Sequence, residues 1–324
     1  MSSTQKCKFE GFERTDKVYS VVDGHEIWTS ILIPRKLVEK RENGADIVIP
    51  VLVFWHGGGF IVGDRMYEPW WSDWLLELAL SQNALIVAPD YRLLPEASGA
   101  DIMDDMDAFW SWFSDTLPGA TDLKSWGVRP DFDRILCVGQ SAGSTIALHS
   151  ALQRRDVAVK AIVSLYGPLY GDVPEFKMAR PRKIIGSYPP PPRQAAAKIR
   201  SYMQRTRGTI RTSGDPVEMW ELVACILQQG WIPRLVNARP DSRLDSVAEL
   251  ERIKTLPPIW LIHGEQDSVV PVACSTEFVK CMEEIVPDVP RLLSVVDGDH
   301  SFDVALTMQV DWIADGCNFI LRYW

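Results

Sequence analysis

Ser141, Asp267 and His300 have the types and chain order of a nucleophile, its orienting acid and its base. Ser141 sits in RILCVGQSAGSTIAL, where an apolar run meets Gly139-Gln140-Ser141-Ala142-Gly143 and then a helical pattern. A serine raised on a sharp strand-to-helix turn leaves no room for Cβ atoms two residues to either side, which accounts for Gly139 and Gly143. Such a turn sets Ser141 Oγ at the carboxyl end of a sheet. It also sets it beside a helix N-terminus, whose free N–H groups favour developing negative charge.

An alcohol is a poor nucleophile without a base. The histidines are His25, His56, His149, His263 and His300. His25 follows an early hairpin turn and reads as a surface residue. His149 lies two turns down the helix that follows Ser141, facing away from the turn. His263 ends a strand and reads as a structural hydrogen-bonding residue. His300, in DGDHSF after the last strand-like run, is placed to swing over the sheet edge to Ser141. That imidazole needs a carboxylate to hold its tautomer. Asp267, in WLIHGEQDSVVP, follows the penultimate strand on the same edge; Glu265 is the near competitor. Asp297 and Asp299 are too close in sequence to reach the far ring nitrogen easily. The order Ser, Asp, His is that of α/β-hydrolases.

FWHGGGF, residues 54–60, supplies the remaining part. Acyl transfer builds an oxyanion, on which backbone N–H groups must converge without intruding side chains. The N–H groups of Gly58, Gly59 and Ala142 are the candidate oxyanion hole, Gly57 serves the turn, and His56 braces the loop. A phosphate loop is excluded, because neither a Lys-Ser/Thr ending nor GxGxxG spacing follows.

The elements that must position these groups are legible as apolar runs at 47–55, 84–89, 134–139, 160–167, 258–264 and 291–298, with helical stretches between them. Short, fully apolar strands alternating with helices predict a parallel sheet covered on both faces. An antiparallel hairpin turning at Asp23-Gly24 precedes them. The alternation breaks over a Pro-punctuated helical stretch. The predicted organisation is a core of residues 1–167 and 258–324 with a helical cap inserted at 168–257. The PPPP run there reads as a rigid loop. Of 13 tryptophans, those on the helices after the oxyanion loop read as core. Phe60, Trp220 and Trp231 are the candidate substrate contacts, since a cap must present apolar surface to its ligand.

The 324 residues carry a net charge of −9 with no dense basic run, which argues against nucleic acid and anionic membrane surfaces. The polar N-terminus shows no signal peptide, and no window is long and apolar enough to span a bilayer. The six cysteines form neither a CxxC nor a zinc or disulfide pattern, so reduced thiols and a cytoplasmic location are expected.

HGGGF, DYRLLPE, GQSAG, HGEQD and DHSF together resemble the hormone-sensitive-lipase branch of α/β-hydrolases, from about Asp46 to the C-terminus apart from the insertion. The resemblance implies the α/β-hydrolase fold: a mostly parallel eight-stranded sheet with helices on both faces and an inserted helical cap. It implies carboxylesterase chemistry through an acyl-enzyme, with no cofactor and no metal. Asp90–Glu96 carries over as support for the oxyanion loop. The chain departs from the pattern at Gln140, where the family often has Asp, at Ser144, where it often has Gly, and at Ala97–Asp101. The whole is also similar to hydrolases encoded in fungal biosynthetic clusters, whose substrates include polyketide esters and thioesters. A thioesterase, acyl transferase or C–C hydrolase using the same triad is therefore an alternative. A non-catalytic small-molecule receptor is another: the plant gibberellin receptors resemble this family but lack the catalytic histidine, which this chain keeps.

Overall fold

A computed structural model describes residues 7–39 and 46–324. The first six residues, part of the N-terminus in which no signal peptide is read, lie outside the described residues. Eight strands form one sheet: β1 (Phe12–Val22), β2 (His25–Pro34), β3 (Ile47–Trp55), β4 (Leu85–Pro89), β5 (Val128–Gln140), β6 (Val159–Leu165), β7 (Ile259–Gly264) and β8 (Arg291–Val296). Their spatial order is β1-β2-β4-β3-β5-β6-β7-β8. β1 pairs antiparallel with β2, and β2 antiparallel with β4; every other pairing is parallel.

The central strands read as unbroken apolar runs because both faces are covered. Val51, Val53 and Trp55 of β3 enter one core, and Leu52 and Phe54 the other. On β5, Ile135 and Cys137 divide from Leu136 and Val138 in the same way. The β1–β2 turn has φ of 49° at Asp23 and 81° at Gly24, the left-handed pair that a two-residue hairpin needs. β5 is longer than its apolar run predicts. Val128–Pro130 also pair with Ile47–Ile49, and a register shift separates this segment from the buried part. The polar residues of VRPDFDR hide the extension: Val128 and Pro130 are buried, but Arg129, Phe132 and Asp133 between and after them are exposed.

Between β6 and β7 the chain contributes helices Pro174–Lys177, Pro192–Arg205, Trp220–Gln229, Ile232–Val236 and Ser246–Ile253, and no strand of the sheet. Among the described residues no helix is long and apolar enough to cross a membrane.

Candidate active site

Ser141 falls between the last residue of β5 and helix Ala142–Gln153, with φ 51° and ψ −122°. A non-glycine residue there is strained, and the surroundings enforce it. Ser141 N donates to Leu165 O of β6 at 2.8 Å. A Cβ on Gly139 would lie 2.3 Å from Gly143 O, and one on Gly143 would lie 2.2 Å from Trp55 O. Both contacts are with backbone, so neither position accepts a side chain. Ser144 Oγ donates to Gly139 O at 2.7 Å and is occupied within the turn.

His300 lies in the loop after β8. Its Nε2 is 3.0 Å from Ser141 Oγ, and its Nδ1 is 2.7 Å from Asp267 Oδ2. An ionised carboxylate only accepts, so Nδ1 carries the proton and Nε2 is free to accept the Ser141 hydroxyl. Asp267, just past β7, has a fully buried side chain whose Oδ1 accepts the N–H groups of Val269 and Val270, both at 2.8 Å. Burial pushes its pKa up. The His300 charge and hydrogen bonds from His263 and His300 outweigh this and hold it well below the usual carboxylate range.

His263 makes the structural hydrogen bonds that sequence reasoning expected of it, and further supports were missed. His263 Nε2 donates to Val270 O at 2.9 Å and lies 3.5 Å from Asp267 Oδ2. Asp299 Oδ1 accepts the N–H groups of Ser268 and His300, both at 2.7 Å, and so ties the acid loop to the base loop. The Tyr166 ring meets the His300 ring edge-on at 4.7 Å. Gln140 Nε2 donates to Tyr166 Oη at 2.8 Å and to Trp70 O at 2.6 Å. Asp299 and Gln140 stand next to motif residues, so their proximity was legible, but their partners come from distant loops. Glu265, the competitor acid, is exposed.

The register places Trp55 beside Gly139, so the loop after β3 leaves the sheet next to the Ser141 turn. In a trans peptide unit the N–H points opposite to the preceding C=O, so a pinned carbonyl aims the next amide. Gly57 O is held by His56 Nδ1 at 2.8 Å and Tyr91 Oη at 3.3 Å, which fixes the Gly58 N–H. Gly58 O accepts Ile61 N at 2.9 Å and Val62 N at 3.1 Å, which fixes the Gly59 N–H. Ser141 O accepts Ser144 N at 2.9 Å, which fixes the Ala142 N–H. Among the described residues none of these three amides has an acceptor outside the site. Gly58 has φ +100°, and a Cβ there would meet Val62 O at 1.9 Å, so the turn itself dictates glycine at this position. His56 stacks on Tyr91 at 4.4 Å, and burial lowers its pKa to about 4, so it braces the loop as a neutral ring.

A cavity of about 620 Å³ opens onto Ser141, Gly59, Phe60 and Ala142. The segment between β6 and β7 lines it with apolar Leu227, Ile232, Val236 and Leu244 together with polar Asp172, Lys177, Asn237, Asp241 and Asp245. Phe60, the first of the candidate substrate contacts, lines this cavity. Trp220 and Trp231 do not line this cavity. Trp220 Nε1 turns to Ser187 Oγ at 3.2 Å, and the Trp231 ring lies under the Arg234 guanidinium at 4.7 Å. Leu227 and Ile232, on the same helices, line the cavity instead.

A family model described as alpha/beta hydrolase fold matches residues 52–276. The probable carboxylesterase M8 of Phoma sp. is 53% identical over 98% of this chain and 98% of its own length. The non-reducing polyketide synthase stbA of Stachybotrys bisbyi is 26% identical over 95% of this chain, which corresponds to 15% of the synthase. Among solved structures, esterase LipW of Mycobacterium marinum superposes with a TM-score of 0.59 at 19% identity, covering 96% of this chain and 82% of that one. At that identity the likeness is one of fold.

Proposed function

The chain belongs to the alpha/beta hydrolase family, in its hormone-sensitive-lipase-like branch, and from that membership we propose a carboxylesterase-type serine hydrolase acting on esters of small molecules. The observation that carries this reading is the unbroken line from Ser141 Oγ through His300 to buried Asp267, beside three aimed backbone amides.

Ser141 Oγ attacks the ester carbonyl carbon while His300 Nε2 takes the hydroxyl proton. Asp267 stabilises the imidazolium so formed. The carbonyl oxygen becomes an oxyanion, held by the N–H groups of Gly58, Gly59 and Ala142 and favoured by the N-terminus of helix Ala142–Gln153. Collapse breaks the bond to the alcohol, which leaves with the proton from His300. Water then enters, His300 takes its proton, and a second oxyanion collapses to release the acid and restore Ser141. Residues 168–257 act as the cap, and their aliphatic wall receives the apolar part of the substrate. No step calls for a metal or cofactor. The six cysteines are free and four of them are buried, which supports a reducing, cytoplasmic setting.

One observation favours a second reading. The likeness to part of a polyketide synthase extends over nearly the whole chain, so a thioester donor, hydrolysed or transferred by the same triad, is the alternative substrate. The intact Ser141–His300 contact speaks against a receptor that has lost its chemistry. Turnover of p-nitrophenyl esters beside the matching thioesters tests the choice. Ester hydrolysis abolished by Ser141→Ala is the expected result, and turnover of thioesters alone would transfer the function to the alternative.

A further inference from the structure

The oxyanion turn is held from outside by an ion pair that joins the segment between β6 and β7 to the core. Glu96, whose side chain is 2% exposed, accepts Arg211 Nε at 3.1 Å and Nη2 at 3.0 Å. Tyr202 Oη donates to the same carboxylate at 2.6 Å. With its fork fixed, the guanidinium donates from Nη1 to Ile61 O at 2.7 Å and from Nη2 to Leu94 O at 2.9 Å. The backbone follows the same route. Leu93 N donates to Arg211 O, Leu94 N to Phe60 O, and Gly63 and Gly214 exchange both of their hydrogen bonds. Ile61 is the joint, since its C=O is gripped by Arg211 while its N–H holds Gly58 O and thereby aims the Gly59 N–H.

We propose that Arg211 is a positioning residue for the oxyanion hole, setting the direction of the Gly59 N–H through Ile61 and Gly58, so that the cap segment governs transition-state stabilisation as well as substrate shape. The inference rests on the serine-hydrolase reading above. A planar, charged fork suits the task. It satisfies two carbonyls and a carboxylate at once, which a lysine ammonium on a flexible stem cannot do in one fixed geometry. The Glu96 carboxylate at the centre of this network is buried, with 2% of its side chain exposed, while Arg211 keeps 18%.

The test measures kcat and KM on a p-nitrophenyl ester, per active site titrated to completion with a fluorophosphonate. It adds Ki for a trifluoromethyl ketone, whose hemiketal oxygen occupies the hole. The variants are Arg211→Met, Arg211→Lys and Glu96→Gln. A displaced donor costs less than a deleted one, so Arg211→Met is expected to lower kcat by about tenfold or more with a much smaller change in KM. The ketone Ki rises in step with the loss in kcat/KM, and Arg211→Lys recovers part of both. A role in folding alone would lower the melting temperature and the titre while leaving kcat per site and the ketone Ki unchanged. That outcome in the folded variants overturns the proposal. If Arg211→Met yields no folded protein, Arg211→Lys and Glu96→Gln carry the same criterion. A wild-type enzyme without turnover or labelling would overturn the serine-hydrolase reading together with this inference; a working wild type with indifferent variants overturns this inference alone.

Discussion

His300 Nε2 lies 3.0 Å from Ser141 Oγ although 159 positions of sequence separate them. The sheet order explains the approach. β5 delivers Ser141, β6 lies beside it, and β7 and β8 follow in parallel, so the loops bearing Asp267 and His300 emerge on the same edge. Asp299 then ties those two loops together through the N–H groups of Ser268 and His300. The His300 ring thus meets the Asp267 carboxylate through Nδ1 and the edge of the Tyr166 ring.

The acid is the first point to test. Asp267→Asn keeps the shape but removes the charge and favours the tautomer with its proton on the wrong nitrogen. kcat is expected to fall by about 10⁴-fold with the fold retained. Glu265 is exposed, and Glu265→Gln is expected to leave kcat within roughly twofold. Steady-state kinetics on one ester separates them, and the reverse ranking would move the role to Glu265.

The Ser141 turn and the glycine loop were legible because each carries a local backbone demand. Gly139 and Gly143 are required by carbonyls that a Cβ would strike, and such demands leave a fixed spacing in the sequence. The sheet was legible because strands buried on both faces are uniformly apolar. The early part of β5 was not, since buried Val128 and Pro130 are interleaved there with exposed polar side chains. Trp220 and Trp231 were misplaced because the type of a residue does not say which face of a short helix meets a cavity. Arg211 gave no signal, because its partners, Ile61 and Glu96, are set by tertiary approach rather than by spacing.

The cavity wall gives a prediction about substrate size. Leu227 and Ile232 line the same void as Ser141, so Ile232→Trp should fill space that a long or bulky acyl group needs. Across a p-nitrophenyl series from acetate to decanoate, kcat/KM for the longest ester relative to acetate is expected to fall by about tenfold. Trp220→Ala and Trp231→Ala are expected to leave that ratio near the wild-type value. An unchanged ratio in Ile232→Trp would place the acyl group elsewhere.

Two buried histidines away from the reacting atoms give a pH dependence of stability. His149 is fully buried, with Nδ1 3.0 Å from Gln153 Nε2 and Nε2 3.3 Å from Ser246 Oγ. Burial lowers its pKa from 6.5 to about 4; Glu249, Asp245 and Asp241 oppose the shift and Arg243 adds to it. His56 is shifted to about 4 in the same direction, also chiefly by burial. In this window the unfolded chain binds protons that the folded chain refuses. The stabilisation is therefore complete above about pH 6.5 and declines as pH falls toward about 4. Urea midpoints at about pH 7 and about pH 4.5 should differ less in His149→Gln than in the wild type. An equal drop in both proteins would show that His149 is not held neutral by the fold.

The most direct measurement is covalent labelling by an alkyl fluorophosphonate, read by intact mass and peptide mapping. The reagent reacts with a serine whose proton a neighbouring base accepts and whose developing oxyanion is held. The expected result is one adduct per chain on Ser141, lost in His300→Ala, and none on Ser144, whose hydroxyl is engaged with Gly139 O. An adduct on Ser144, or none on the folded wild-type protein, would contradict the assignment of Ser141 and His300 as nucleophile and base.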